Sequence, residues 1–239
     1  GLYVAAAQRA RRIRFLTGII SMPIHHPAML ASEVAAADLL TSGRIMLGIG
    51  RGHPWVIGRM NVDAASSTAR FEEGIRMLVE IFKGDYIEKL DGEFWQIRDF
   101  KLSPPPVQLP HPPIYTAAAT TPDSASFAGR VGQGLVQPGY LGIPFDLVRG
   151  LTETYRKNLP AGSKSDIILG IHLHVAKDRD EAIENGALAL ATQAEVFLRG
   201  RLSRSVQTEQ IQTYTTKSTS REAFEKLCTP EKARQAVEA

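Results

Sequence analysis

The 239-residue chain has a single cysteine, Cys228, and no Cys-x-x-Cys pair, which excludes an internal disulfide and a thiolate zinc framework. That scarcity fits a reducing, cytoplasmic setting. No run approaches the ~18 uninterrupted apolar residues of a membrane span, so no membrane role is expected. A surplus of one charge is missing too. Lys and Arg number 28 against 25 Asp and Glu, and a net charge of +3 is too small to argue for nucleic acid even at a pI near 9.0. The G-x-S-x-G elbow of serine hydrolases is absent, as is any internal repeat. What is present is ordinary for a globular protein: 44% hydrophobic and 22% charged residues, with 20 Gly and 14 Pro. Such a chain can bury a real core without staples, and residues 1–239 are expected to form a single domain. Leu2 to Ala10 reads as helix interior from the first residue on, and Thr229-Pro230-Glu231 opens a helix at the other end. The sequence is therefore expected to be part of a longer protein.

Short apolar strands alternate with amphipathic helices. The run from Arg14 to Met22, ended by Pro23, reads as a buried parallel strand. Leu30, Val34 and Ala37 then keep helical spacing, and Gly43 falls where a helix ends. A strand over Ile45 to Gly50 follows. Ser66-Ser67-Thr68 offers an N-cap before the stripe Phe71, Ile75, Leu78, Val79 and Phe82. The proline-rich stretch from Ser103 to Pro113 excludes helix and central strand and leads into a strand at Ile114 to Ala118. Thr121 and Pro122 open the next helix. A weak strand at Gly134 to Gln137, a helix from Phe145 to Asn158, a strand over Ile167 to Val175 and a helix capped by Asp178 complete the alternation. From Arg199 to Ser220 the chain turns polar, as a lid-like insertion would. This order implies a parallel sheet with right-handed crossovers, five strands in all, where a complete eight-stranded barrel typically takes about 250 residues.

In such sheets the working residues sit where strands end and helices begin. Three junctions stand out. In Leu47-Gly48-Ile49-Gly50-Arg51-Gly52-His53, alternate glycines uncover backbone amides and Arg51 adds a guanidinium, which together suit an anion. The spacing is not that of a dinucleotide fingerprint, and His53-Pro54 is expected to break any following helix. A plain packing turn with a solvated Arg51 accounts for it equally well. At Thr120-Thr121-Pro122-Asp123-Ser124, free amides, a helix dipole and hydroxyls suit a phosphate dianion; the bland reading is that Thr121 only caps the helix. Gly18, inside the first apolar strand, suggests a bulge or a ligand lying on the backbone.

The histidines carry less. His25 and His26 are adjacent and point opposite ways on an extended segment, so hydrogen-bonding roles are expected. His172 and His174 share a strand face, but no third ligand is identifiable and no metal is assigned. Arg9, Arg11, Arg12 and Arg14 read as a solvated face.

Taken in order, the segments resemble the bacterial luciferase-like flavin monooxygenase family. The resemblance rests on Arg12 to Gly18, Met22-Pro23-Ile24-His25-His26-Pro27, Asp38 to Gly52, Arg70-Phe71-Glu72-Glu73-Gly74 and Pro112-Pro113-Ile114-Tyr115. It runs from about Leu2 to Ala182. It implies an α/β fold, the (β/α)8 barrel, of which this chain would hold the third to seventh strands. It also implies a flavin ring leaning on Gly18 and Ile19 at a bulged strand end. The flavin phosphate would be held by Arg51 beside Gly50, by Arg70 in the next helix, and by the hydroxyls of Thr120, Thr121 and Ser124. The activity implied is an oxidoreductase, a monooxygenase that uses reduced FMN and oxygen on a small organic substrate. A separate flavin reductase would supply the reduced FMN, and the assembly would be a homodimer. Gly50 stands where bacterial luciferase has a reactive cysteine, so light emission is not expected. The catalytic acid/base is unassigned, and Trp55, His53, His25 and Tyr140 are candidates for lining the substrate pocket. Two alternatives share the barrel: hydride transfer with coenzyme F420, and flavin binding without catalysis.

Overall fold

The apolar run Ile45–Gly50 lies between Gly43 and the Gly52-His53-Pro54 turn, and in the computed structural model it forms the interior strand β3. The structure describes residues 1–139, 144–171, 173–187 and 189. They begin with helix α1 (Leu2–Ala7), followed by strands β1 (Phe15–Leu16) and β2 (Ile20–Ser21), a 3-10 turn and helix α2 (Pro27–Leu40). After β3 come α3 (Pro54–Arg59), α4 (Ser67–Phe82), a hairpin of β4 (Ile87–Asp91) and β5 (Gln96–Phe100), and then β6 (Ile114–Ala117). Helix α5 (Pro122–Arg130), β7 (Gly134–Gly139), α6 (Phe145–Lys157) and β8 (Ile167–Ile171) complete the named elements, and 179–187 is helical.

The main sheet runs β1-β3-β6-β7-β8, with β2 also on β3. The pairings of β3 with β1, β2 and β6, and of β6 with β7, are parallel. With β1 and β2 taken as two parts of one strand, helices separate the successive strands of this sheet, as the alternation of the sequence predicts. The chain divides into two compact units, Gly1–Val136 with Thr154–Ile168, and Gln137–Glu153 with the chain from Leu169 onward. The first carries a core in which Leu30, Ala31, Val34 and Ala35 of α2 meet Phe71, Ile75, Leu78 and Phe82 of α4 and Leu47 and Ile49 of β3. Phe71 meets Phe127 of α5 edge-on at 5.3 Å. Of the stripe read from the sequence, Phe71, Ile75, Leu78 and Phe82 lie on the buried face of α4, and Val79 is half-buried at its margin. In the second unit Gln137, 1% exposed, donates to the Val148 carbonyl and accepts from the Thr152 hydroxyl, so a polar strand residue is satisfied in the interior.

Several expectations need correction. Helix α2 ends in a Schellman arrangement, Gly43 N–H to Asp38 C=O and Ser42 N–H to Leu39 C=O, in which Ser42 (φ 56°) takes the left-handed cap position and Gly43 (φ 73°) follows it. Pro54 does not break a helix. It starts α3 with His53 as N-cap, because proline lacks only an N–H that the first helical position leaves unpaired anyway. The strand expected to reach Val175 stops at Ile171, and Leu173 and Val175 are exposed rather than paired into a core. The hairpin was not anticipated, although Asp91-Gly92 between apolar-polar alternations is a hairpin signal. Asp178 does cap the last helix, accepting from Glu181 N–H at 2.9 Å. Tyr140, His172, Cys228, the 199–220 insertion and the helix expected after Thr229 lie outside the described residues. Among the described residues no helix is long and apolar enough to cross a membrane.

Candidate cofactor site

The parallel register decides which loops meet. Ser21 lies opposite Gly50, and Ile49 opposite Thr116, so the ends of β2, β3 and β6 reach the same sheet edge. The segments after Thr17, after Ile49 and after Ala117 therefore leave the sheet at the same end, which places Gly18 and Ile19, Gly50 and Arg51, and Thr120, Thr121 and Ser124 on that side, with Ile19 and Ala117 both beside Gly50. All lie in the first unit.

Gly18 marks a bulge, as the sequence suggests. Phe15 and Leu16 pair with Ile45 and Met46, and Ile20 and Ser21 pair with Ile49 and Gly50. Between the two stretches this strand takes four residue steps where β3 takes three, so one residue is extra. The Gly18–Ile19 peptide is cis. The Thr17 side chain closes the gap in the ladder: its hydroxyl accepts from Gly48 N–H (2.9 Å) and donates to Gly48 C=O (2.8 Å). This explains two of the glycines. A Cβ on Gly48 would run into the Thr17 carbonyl, and one on Gly50 into the Ile19 side chain, with Ala117 at 3.3 Å. Close approach to the bulge, not only exposure of amides, accounts for the alternation. Ile19 is 38% exposed and offers an apolar surface at this edge.

Arg51 is half-buried, and its Nη1 donates to the Thr68 hydroxyl in the first turn of α4 at 3.2 Å. Arg70, two residues on in that helix, donates from Nε to Ser66 Oγ at 3.2 Å, and its guanidinium lies 4.5 Å from the centroid of the Phe94 ring and 5.9 Å from that of Trp95. Among the described residues neither arginine pairs with a carboxylate. Thr121 is the N-cap of α5, yet its side chain makes no capping bond; the Ser124 amide donates to the Thr121 carbonyl instead. The bland expectation, a threonine whose hydroxyl caps the helix, is thus not met. Thr120 is exposed and Ser124 buried. Two guanidiniums that pair with no carboxylate among the described residues and the start of a helix form a donor set suited to an anion.

The histidines hold structure. His25 Nδ1 lies 2.8 Å from the Ser21 carbonyl, which can only accept, so that nitrogen carries the proton. His26 Nδ1 accepts from Ala28 N–H as the N-cap of α2. His174 is exposed, and no group of three or more potential ligands for a metal occurs among the described residues. Trp55 lies in α3. Sequence reasoning missed Thr17, Thr68 and the hairpin aromatics Phe94 and Trp95. Only the hairpin had a local signal; the others act through contacts between distant segments.

Similar proteins identify the family. A flavin-dependent trigonelline monooxygenase, oxygenase component, of Acinetobacter baylyi is 33% identical over 181 residues, 74% of this chain and 49% of that protein. A 4-hydroxyprotoasukamycin monooxygenase of Streptomyces nodosus is 28% identical over 77% of this chain and 52% of its own length. An F420-dependent glucose-6-phosphate dehydrogenase of Amycolatopsis mediterranei is 28% identical over 76% and 56%. The chain spans about half the length of these curated relatives. Among solved structures, monooxygenase RslO1 of Streptomyces bottropensis superposes with a TM-score of 0.71 at 24% identity, over 94% of this chain and 79% of that one. The F420-dependent tetrahydromethanopterin reductase of Methanopyrus kandleri does so at 0.70 and 18%, over 100% and 78%. These likenesses establish the luciferase-like α/β barrel as the fold, with five strand positions of that barrel among the described residues. The family profile extends over residues 2–236, nearly the whole chain, and with the fold it makes this protein a member of the luciferase-like monooxygenase family.

Proposed function

We propose that the protein is a flavin-dependent monooxygenase whose cofactor is FMN, its phosphate held at the shared end of β3 and β6. The observation that carries this reading is the half-buried Arg51 guanidinium, whose one hydrogen-bond partner among the described residues is the Thr68 hydroxyl, at the same end of the sheet as the Thr121 hydroxyl left out of its own helix cap. In this reading Arg51 and Arg70 hold the phosphate dianion, with Thr120, Thr121, Ser124 and the first amides of α5 completing its hydrogen bonds. The bulge at Gly18 and Ile19, beside Gly50, offers the ring an apolar support, and the packed strands beneath it exclude water from one face. When bound in its reduced form, the flavin supplies the electrons for oxygen activation. The chain's own part is to bind, orient and shield.

The name of the Acinetobacter relative, an oxygenase component, supports a separate reductase as partner. Exposed Met29, Leu39 and Leu40 on α2 support a homodimer. Residues 1–239 would then belong to one barrel domain acting on a small organic substrate in the cytoplasm. The F420-dependent relatives favour a second reading, hydride transfer with the deazaflavin coenzyme. Its phosphate is an internal diester, whereas two arginines and three hydroxyls match a terminal dianion better.

Parallel fluorescence titrations with FMN, riboflavin and coenzyme F420 separate the readings. FMN binding far more tightly than riboflavin is the expected result, followed by oxygen uptake when the flavin is reduced. Preference for F420 turns the protein into a dehydrogenase or reductase. Flavin binding without oxygen uptake or substrate turnover makes it a binding protein, and no binding of any of the three overturns the assignment.

A further inference from the structure

Helix α4 carries both an arginine of the proposed phosphate site and the group that fixes the surface this arginine rests on. Glu73, one turn after Arg70, is 8% exposed, and its carboxylate accepts from three successive amides of the hairpin turn: Glu93 N–H at 2.8 Å, Phe94 N–H at 2.9 Å and Trp95 N–H at 3.1 Å. Gly92 N–H to Trp95 C=O at 2.9 Å closes the same turn, and a Cβ on Gly92 would run into the Glu73 carboxylate. So anchored, the turn presents the Phe94 ring 4.5 Å from the Arg70 guanidinium, with Trp95, 8% exposed, behind it. On the other side, Arg70 Nε is tied to Ser66 Oγ, which itself donates to the Asp63 carbonyl. A ring against the guanidinium and a bond at Nε remove the freedom of a long side chain, while neither terminal nitrogen has a hydrogen-bond partner among the described residues.

We propose that the β4–β5 hairpin is a positioning clamp for Arg70. Phe94 holds the guanidinium in place for the cofactor phosphate, and Glu73 holds Phe94. The inference rests on the FMN reading above and adds residues to it that touch no cofactor. Preorganisation of this kind acts on affinity by lowering the entropy lost when the anion is gripped. Its signature is a loss confined to ligands that carry the terminal phosphate.

The test compares FMN and riboflavin dissociation constants for the intact protein and the variants Phe94→Leu, Phe94→Tyr, Glu73→Gln and Arg51→Ala. Phe94→Leu keeps apolar bulk and removes the ring; it is expected to weaken FMN about three- to tenfold and leave riboflavin unchanged, in keeping with a cation–π contact. Phe94→Tyr keeps the ring and should restore FMN affinity. Glu73→Gln loosens the turn and should give an FMN-selective loss like that of Phe94→Leu. If Phe94→Leu does not fold, Phe94→Met takes its place. Equal losses for the two ligands, or none for FMN, overturn the clamp. Arg51→Ala separates the two failures. If it weakens FMN selectively while the Phe94 variants do not, the clamp alone is wrong. If it too treats both ligands alike, the phosphate site itself is wrong.

Discussion

Two arginines flank strand β3 and meet opposite fates. Arg44, just before β3, donates from Nε to Thr41 C=O at 2.7 Å and from Nη2 to Ala7 C=O at 3.1 Å, reaches the Ala10 and Ile13 carbonyls through Nη1, and lies over the Phe15 ring. Arg51, just after it, has one partner among the described residues, the Thr68 hydroxyl. The same contrast holds for other polar groups at the two strand ends. Asp38, fully buried, accepts from Val107 N–H (2.8 Å), Gln108 N–H (2.9 Å) and the Gln108 side chain (2.7 Å), and Tyr115 donates to Asp166 at 2.7 Å. At the other end Thr121 leaves its own helix uncapped. At the beginnings of these strands Arg44, Asp38 and Tyr115 serve the fold; at their ends Arg51 and Thr121 keep the donors that the proposed phosphate site uses, in keeping with the division of labour general to α/β barrels.

The largest effect follows from removing the engaged arginine. Arg44→Ala strips charged donors from several carbonyls and is expected to cost about 2–4 kcal/mol of stability in denaturant titration, with FMN affinity of the folded fraction unchanged. Arg51→Ala should do the reverse. Unfolding should shift by less than ~0.5 kcal/mol, while FMN loses about 1.5–3 kcal/mol of binding, one to two decades, and riboflavin barely changes. If both variants lose stability alike, the two ends are not specialised.

Alkaline pH probes the other end. Burial, then the hydrogen bond to the Asp166 carboxylate, pushes the Tyr115 hydroxyl from 10.0 up to about 12. Burial raises that of Tyr155 as well, partly offset by its bond to the Asp166 backbone. A raised value means the folded state holds the proton more tightly, so this contribution is complete below pH 10.0 and is lost as pH climbs toward about 12. Stability measured across that window should fall in the native protein and fall less in Tyr115→Phe, whereas the flavin site should not sense the change. The smallest effect is expected for Thr121→Ala. An N-cap threonine usually contributes ~1 kcal/mol; with no capping bond here the unfolding midpoint should hardly move, while FMN weakens about threefold, the loss of one hydrogen bond.

The local pattern of the chain determined a good deal. Pro122 after Thr121, the stripe Phe71-Ile75-Leu78-Phe82 and the apolar run Ile45–Gly50 specify a helix start, a buried helix face and a strand through interactions only a few residues long, and each formed as read. The bulge at Gly18 was legible too, because a glycine inside an apolar strand has few other uses. Pro54 misled for a reason of position, since proline that ends a helix inside it can begin one at its first residue.

What the sequence could not show is whether a polar side chain finds its partner within the chain or is left for a ligand. Arg44 and Arg51 look alike in sequence. Their difference arises because α1 and the turn after α2 bring backbone carbonyls to the first, while among the described residues the second bonds to the start of α4 alone. Glu73 reads as one more charge on a helix, and only the return of the hairpin, about twenty residues later, turns it into the anchor of Phe94. Such pairings depend on which distant segments the parallel register sets side by side, so they belong to the tertiary structure alone.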